Sequence, residues 1–166
     1  MAHEEDLHVT IATASDLIDL ASLADEFRQH LGQDEPTHAD FARSFERLLA
    51  DGATEFHIAR NADGDAIGYL QCRIRYSAWT SGWDAELEDV FITAAVRRQG
   101  FGRRLVQFAL SRFCTKQYRR VGLNTNERNL AALVFYERFS FRAERPAWQG
   151  GRQLWLQKHL SPEPSP

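Results

Sequence analysis

Arg97-Arg98-Gln99-Gly100-Phe101-Gly102-Arg103-Arg104-Leu105 lies between a strand-like run, Leu87 to Ile92, and an apolar helical stripe of Phe101, Leu105, Phe108, Ala109 and Phe113. Two glycines weaken a first helical turn by about 1 kcal/mol each relative to alanine. Four arginines crowd the positive end of the helix dipole. Folding alone does not select this chemistry at a helix start. Both costs make sense if an anion is held there: glycine lets the backbone come close, free N–H groups bond its oxygens, and arginines supply the opposite charge. A pyrophosphate fits that description. Leu105 stands where a dinucleotide-binding fingerprint needs its third glycine, and no Gly-Lys-Ser/Thr follows, so neither a Rossmann nor a Walker loop is present.

The flanking sequence predicts alternating strands and helices. Leu7 to Ala12 alternates as a first strand, and Ser15 is expected to cap a helix running to about His30. Thr37 to Ala50 reads as a second helix that buries Phe41, Phe45, Leu48 and Leu49. Glu55 to Arg60 and Ala66 to Tyr76 form a hairpin across Asn61 to Asp65. An aromatic loop holding Trp79 and Trp83 leads to a fourth strand, Ala85 to Thr93. Helix Gly100 to Tyr118, strand Val121 to Thr125 and helix Asn129 to Phe139 follow. Phe141 to Glu144 with Gln153 to His159 is expected to close the sheet. The order predicts one α/β (α+β) domain over residues 1–160, a mixed sheet with helices on both faces, and a Pro-rich tail over 161–166.

With 166 residues and 19.0 kDa the chain has the length of one domain. No apolar run approaches the roughly 20 residues of a membrane span, and the acidic opening Met1-Ala2-His3-Glu4-Glu5-Asp6 is unlike a secretory leader. A soluble, cytoplasmic protein is expected. Cys72 and Cys114 form no thiol or zinc motif, and His30 with His38 is a poor metal spacing, so no metal is expected. Charge is unevenly spread: residues 1–65 carry 15 acids against 4 arginines, whereas the remainder carries 8 acids against 16 bases. Arg97 to Arg120 holds seven arginines, one lysine and no acid. Such a stretch attracts anions. The absence of a recognised module and a pI near 6.1 argue against nucleic acid as the partner.

Arg-x-x-Gly-x-Gly after Leu87-Glu88-Asp89-Val90-Phe91-Ile92 resembles the acyl-CoA-binding motif of the GNAT superfamily of N-acetyltransferases. A second stretch in the same order, Asn129 to Phe141 with its Phe135-Tyr136 pair, resembles that family's penultimate helix. Ser140 stands where a glycine is usual, and Ala94-Ala95 replaces a common proline. The resemblance implies a mostly antiparallel GNAT-like sheet of six to seven strands, splayed between strands 4 and 5, with about four helices. It implies acetyl-CoA as co-substrate, its pantetheine amides on the backbone of Val90, Phe91 and Ile92. The diphosphate would rest on the loop Arg97, Arg98, Gln99, Gly100, Phe101, Gly102 and Arg103. Asn129 would contact the pantetheine arm and Ala132 would give it room; a helix cap is the alternative for Asn129, and the two roles are compatible. A homodimer is a further family expectation.

Acyl transfer to an amine poses two proton problems. An alkylamine with pKa near 10.4 is almost wholly protonated at pH 7, so a base must act. Glu88 and Asp89, being adjacent on a strand, are expected to point to opposite faces, so that one meets the cleft whatever the register. Similarity to polyamine acetyltransferases, which carry a comparable Leu-Glu-Asp segment, favours Glu88. Tyr136 matches the family's tyrosine that serves the departing thiolate as general acid, and a strand N–H near Phe91 would meet the oxyanion. The expected reaction is direct acetylation of a primary amine on a small molecule or peptide in a ternary complex. The alternative is a non-catalytic module that senses acyl-CoA.

Overall fold

Strands β1 (His8–Ile11), β2 (Thr54–Arg60), β3 (Ala66–Ser77), β4 (Gly82–Ile92) and β5 (Arg120–Leu123) lie side by side in chain order in a computed structural model describing residues 7–143 and 156–158. The first four pair antiparallel, and β5 runs parallel to β4. A parallel neighbour requires a crossover, and helix α3 (Phe101–Thr115) supplies it. Helices α1 (Leu17–His30) and α2 (His38–Asp51) join β1 to β2, and α4 (Leu130–Glu137) follows β5. The chain divides after Asn124 into two compact units: β1 to β5 with α1 to α3 make the first, and α4 belongs to the second.

Strand alternation on β2 sends side chains to two different helical layers. Phe56 and Ile58 enter a cluster with Leu20, Leu23 and Ala24 of α1, Phe45 of α2, Tyr69 and Phe91. His57, between them, packs against Phe108 and Phe113 of α3 with ring centroids 5.5 and 6.0 Å away. Helices therefore cover both faces of the sheet, as expected. Local signals set the helix starts. Thr37 and Asp40 cap α2 reciprocally: the Thr37 hydroxyl accepts from Asp40 N at 3.2 Å, and the Asp40 carboxylate accepts from Thr37 N at 3.0 Å. Before α1 the chain makes a short 3₁₀ turn over Ala14–Asp16, and Thr13, whose N–H donates to Asp16, takes the capping position expected for Ser15. Arg60 then ties the end of β2 to Asp16 and Asp19 at 2.8 and 2.6 Å.

Five strands are present among the described residues, not six to seven. Phe141 to Ala143 and Leu156 to Lys158 carry no strand, and the remaining residues expected to close the sheet, like the tail, lie outside the described residues. Phe141, expected to begin that strand, packs on α4 instead, as Phe139 does. Both rings fold back on α4, Phe139 onto Phe135 at 5.4 Å and Phe141 onto Tyr136 at 5.6 Å. The Phe141 N–H bonds the Tyr136 carbonyl across a left-handed Ser140 with φ 65°. A helix cap thus takes the residues that a strand would need.

Beneath α3 the sheet buries Glu55, only 9% exposed, against the fully buried His57. Arg112 donates two hydrogen bonds to Glu55 at 2.6 and 2.9 Å, Lys116 one at 2.9 Å and His57 Nε2 one at 2.7 Å. Burial pushes this carboxyl up, but the bonds from His57, Arg112 and Lys116 together hold it well below the usual carboxylate range. Glu55→Gln leaves two partly buried cations short of a partner. It is expected to cost about 2 kcal/mol, or roughly 4–8 °C in Tm. Since the folded state binds the proton more weakly than the unfolded chain, the wild-type advantage is complete above the ordinary value of 4.5 and fades as pH falls below it. Thermal melts of both proteins from pH 7 to pH 3 should therefore converge.

Candidate active site

Four rungs join β4 to β5, from Asp84 opposite Arg120 to Leu87 opposite Leu123, and there the ladder stops. β4 continues for five more residues, Glu88 to Ile92, and among the described residues no strand lies against that edge. The hydrogen bonds around Thr93 fix which groups face it. Thr93 N donates to Ile67 of the β3 side at 2.9 Å. Backbone groups of successive residues alternate between the two sides of a strand, so Phe91 faces β3 whereas Val90 and Ile92 face the open edge. Of the three residues expected to pair with a pantetheine arm, Val90 and Ile92 present their amides to the cleft.

The register changes where the ladder parts. Gln71 pairs with Asp89 and Cys72 with Leu87, leaving Glu88 as an extra residue in β4. Such a bulge breaks simple alternation. Glu88 and Asp89 do not point to opposite faces as expected; both meet the α1/α2 side, where Tyr69, Gln71 and Arg73 share one face of β3. Gln71 Nε2 donates to Glu88 at 2.7 Å, Arg73 makes an ion pair with it, and Tyr69 Oη donates to Asp89 at 3.0 Å. Burial, reinforced by the Glu88 charge, pushes the Asp89 carboxyl up against the lowering effect of the Tyr69 bond. Burial also drives the Tyr69 phenol far up, so it stays protonated and donates to Asp89. Tyr69, Gln71 and Arg73 escaped the sequence reading because nothing local to β3 marks them; their role comes from the strand opposite.

Beyond Ile92 the chain makes a 3₁₀ turn, Ala94–Val96, and enters the arginine loop. Arg98 with φ 64° and Gly100 with φ 87° are both left-handed, which turns the chain sharply into α3. Gly100 is the N-cap and supplies no side-chain bond. Its carbonyl first accepts from Arg104, so the N–H groups of Phe101, Gly102 and Arg103 open the helix without backbone partners among the described residues. The four arginines divide into two kinds. Arg97 Nε bonds the Ile92 carbonyl at 2.9 Å, and Arg104 Nη2 bonds the Leu7 carbonyl at 2.9 Å. Arg98 and Arg103 have no ion pair or hydrogen bond from their side chains among the described residues. Gln99 is exposed and Phe101 half-buried.

In the second unit, Asn129 is the N-cap of α4 and its side chain accepts from Ala132 N at 3.2 Å. The Tyr136 ring stands edge-on to Phe135 at 5.0 Å, and burial pushes its phenol up to about 12. The aromatic loop is shorter than expected, because Trp83 belongs to β4, opposite Tyr76 with ring centroids 5.6 Å apart. Five residues of strand place Trp83 about 16 Å from the bulge. A cavity of about 540 Å³ opens at this same distant end, lined in part by Glu55, Ile74, Trp83, Lys116 and Tyr118.

An open strand edge that leads into a helix N-terminus offers backbone donors to a long, anionic ligand. The chain is a member of the acetyltransferase (GNAT) family, whose model matches residues 18–141. Among solved structures, a probable acetyltransferase superposes with TM-score 0.81 at 20% identity, covering 92% of this chain and 99% of its own. An aminoglycoside acetyltransferase from an uncultured soil metagenomic sample gives TM-score 0.77 at 17% identity, covering 95% and 99%. A ribosomal-protein-alanine N-acetyltransferase from Brucella melitensis biovar Abortus 2308 gives 0.74 at 18%, covering 92% and 99%. These likenesses show the fold, and no curated protein sequence matches the chain. The family generally uses acetyl-CoA. The N–H groups of Phe101 to Arg103, the side chains of Arg98 and Arg103 and the Val90–Ile92 edge, all without partners among the described residues, fit that group's diphosphate and amide-bearing arm. Gly102→Val, which shields those N–H groups with a branched side chain, is expected to weaken CoA binding at least tenfold by calorimetry while Tm changes little.

Proposed function

We propose that this chain transfers the acetyl group of acetyl-CoA directly to a primary amine of a small molecule or peptide. The observation that carries the reading is the continuity of the β4 edge at Val90 and Ile92, unpaired among the described residues, with the N-terminal mouth of α3. Acetyl-CoA supplies the activated thioester. Arg98, Arg103 and the N–H groups of Phe101 to Arg103 hold its diphosphate, and the amides of Val90 and Ile92 orient its arm. Val90 N–H, the first edge donor beyond the bulge, is placed to receive the charge that develops on the thioester oxygen.

The amine must give up a proton before it can attack. Glu88 is the proposed base, held in place by Gln71 and Arg73. Asp89 is the second reading, favoured by a burial that raises its affinity for a proton. Two carboxylates on one face, next to a half-chain rich in acids, favour a cationic acceptor. For the thiolate the assignment is Tyr136, whose raised phenol stays protonated at neutral pH and so remains a hydrogen-bond donor. Asn129 and Ala132 complete the proposed set along the arm.

Release of free CoA in the presence of a panel of polyamines, amino acids, aminoglycosides and peptide amines tests the reading. Binding of acetyl-CoA with no release across the panel favours the acyl-CoA-sensing alternative. Tyr136→Phe is expected to lower kcat at least tenfold while CoA affinity stays within threefold. Glu88→Gln is expected to lower kcat by a similar factor, with the loss reduced at high pH where the amine sheds its own proton. If Asp89→Asn shows that pattern and Glu88→Gln does not, the base is Asp89.

A further inference from the structure

Two openings at the Trp83 end of the sheet take no part in the chemistry above. The cavity of about 540 Å³ has a neighbour of about 490 Å³, lined in part by Tyr76, Gly82, Gln117 and Arg119, and the two share Trp83, Lys116 and Tyr118. Each has the size of a small-molecule site. Their walls are aromatic and braced. Trp83 and Tyr76 meet edge-on with ring centroids 5.6 Å apart, yet both rings stay exposed. Tyr118 lies flat on the buried Phe113, with centroids 5.4 Å apart and planes 8° from parallel. Rings held in this way offer contact area with little freedom left to lose on binding.

The charge left over at these walls has one sign. Arg119 N–H donates to the Trp83 carbonyl at 2.8 Å, and the arginine stem crosses β4 at Gly82, where a Cβ would strike Arg119 Cγ. Its guanidinium has no hydrogen bond or ion pair among the described residues. Lys116 commits one of its three donors, to Glu55 at 2.9 Å. Glu55 itself is already engaged by Arg112, Lys116 and His57. The last carbonyls of α3 are taken as well, since Arg112, Phe113 and Cys114 accept from the N–H groups of Lys116, Tyr118 and Gln117, each at 2.9 Å. Spare donors on two cations thus line the openings with no free carboxylate among the described lining residues to answer them. We propose that this end of the sheet is a second binding site, for a planar aromatic ring that carries a carboxylate. The ring lies against Trp83, Tyr76 and Tyr118, and the carboxylate takes charge-assisted bonds from Arg119 and Lys116. The same two charges repel a cationic ring, and a neutral one forfeits those bonds. The site is about 16 Å from the bulge and does not rest on the acetyl-CoA reading.

Indole-3-acetate is the probe, with indole-3-acetamide and tryptamine as its neutral and cationic counterparts. In residue-resolved NMR titrations of the full chain, without coenzyme, indole-3-acetate should bind with Kd below about 1 mM, ordinary for a fragment of its size. It should shift the Gln117, Tyr118 and Arg119 amides and the Trp83 indole. The amide and the amine should bind at least fivefold more weakly. Arg119→Gln should weaken indole-3-acetate at least fivefold and leave indole-3-acetamide within twofold, whereas Trp83→Leu should weaken both. Should Trp83→Leu fail to fold, Arg119→Gln and the charge series decide alone. The proposal is overturned if those signals do not move, if the shifts fall instead on Phe101 to Arg103, if tryptamine binds as tightly as indole-3-acetate, or if Arg119→Gln leaves the affinity unchanged.

Discussion

The parting of β4 from β5 after four rungs is the constraint on which the site depends. A sheet normally satisfies its backbone polar groups by adding strands. Here the addition stops at Leu87 and Leu123, although β4 runs on to Ile92. The extra residue at Glu88 falls at that point, so the place where the ladder opens is also the place where two carboxylates turn onto one face. Register, edge and acid placement are one feature seen three ways. The hairpin of β3 and β4 makes this affordable, because its long antiparallel register holds β4 rigid from the other side.

Electrostatics divides the molecule by purpose. On the α3 side, Glu55 gathers Arg112, Lys116 and His57, and those charges are consumed in holding the crossover helix to the sheet. At the opposite end of the same helix, Arg98 and Arg103 are left uncompensated beside free N–H groups. One helix is therefore anchored by its last turn and open at its first. Arg97 and Arg104, which belong to the same run of sequence, are bound to carbonyls of Ile92 and Leu7 and give the loop its shape.

Much of this was legible in the residues. The glycine and arginine pattern at 97–105 contradicts helix-start chemistry strongly enough to imply an anion, and the element order from β1 to α4 follows from apolar periodicity. Tertiary pairing was not legible. Adjacent Glu88 and Asp89 alternate by rule, and only the strand opposite shows that one of them is supernumerary. Trp83 reads as part of an aromatic loop, yet it pairs with Tyr76 in β4. Phe141 reads as the start of a closing strand and packs on the end of α4 instead. Two of the partners of Glu55, Arg112 and Lys116, lie 57 and 61 positions away, beyond the reach of any local pattern.

An unpaired strand edge is also a hazard, since it offers the same hydrogen bonds to a stray peptide as to a ligand. The β4 edge carries its own gatekeepers. Acids at Glu88 and Asp89 guard its inner end, and the guanidinium of Arg97 stoppers its outer carbonyl. Among the described residues only Val90 and Ile92 turn backbone groups to this edge, a short stretch flanked by charge, so the same groups that admit one guest discourage polymerisation of the host.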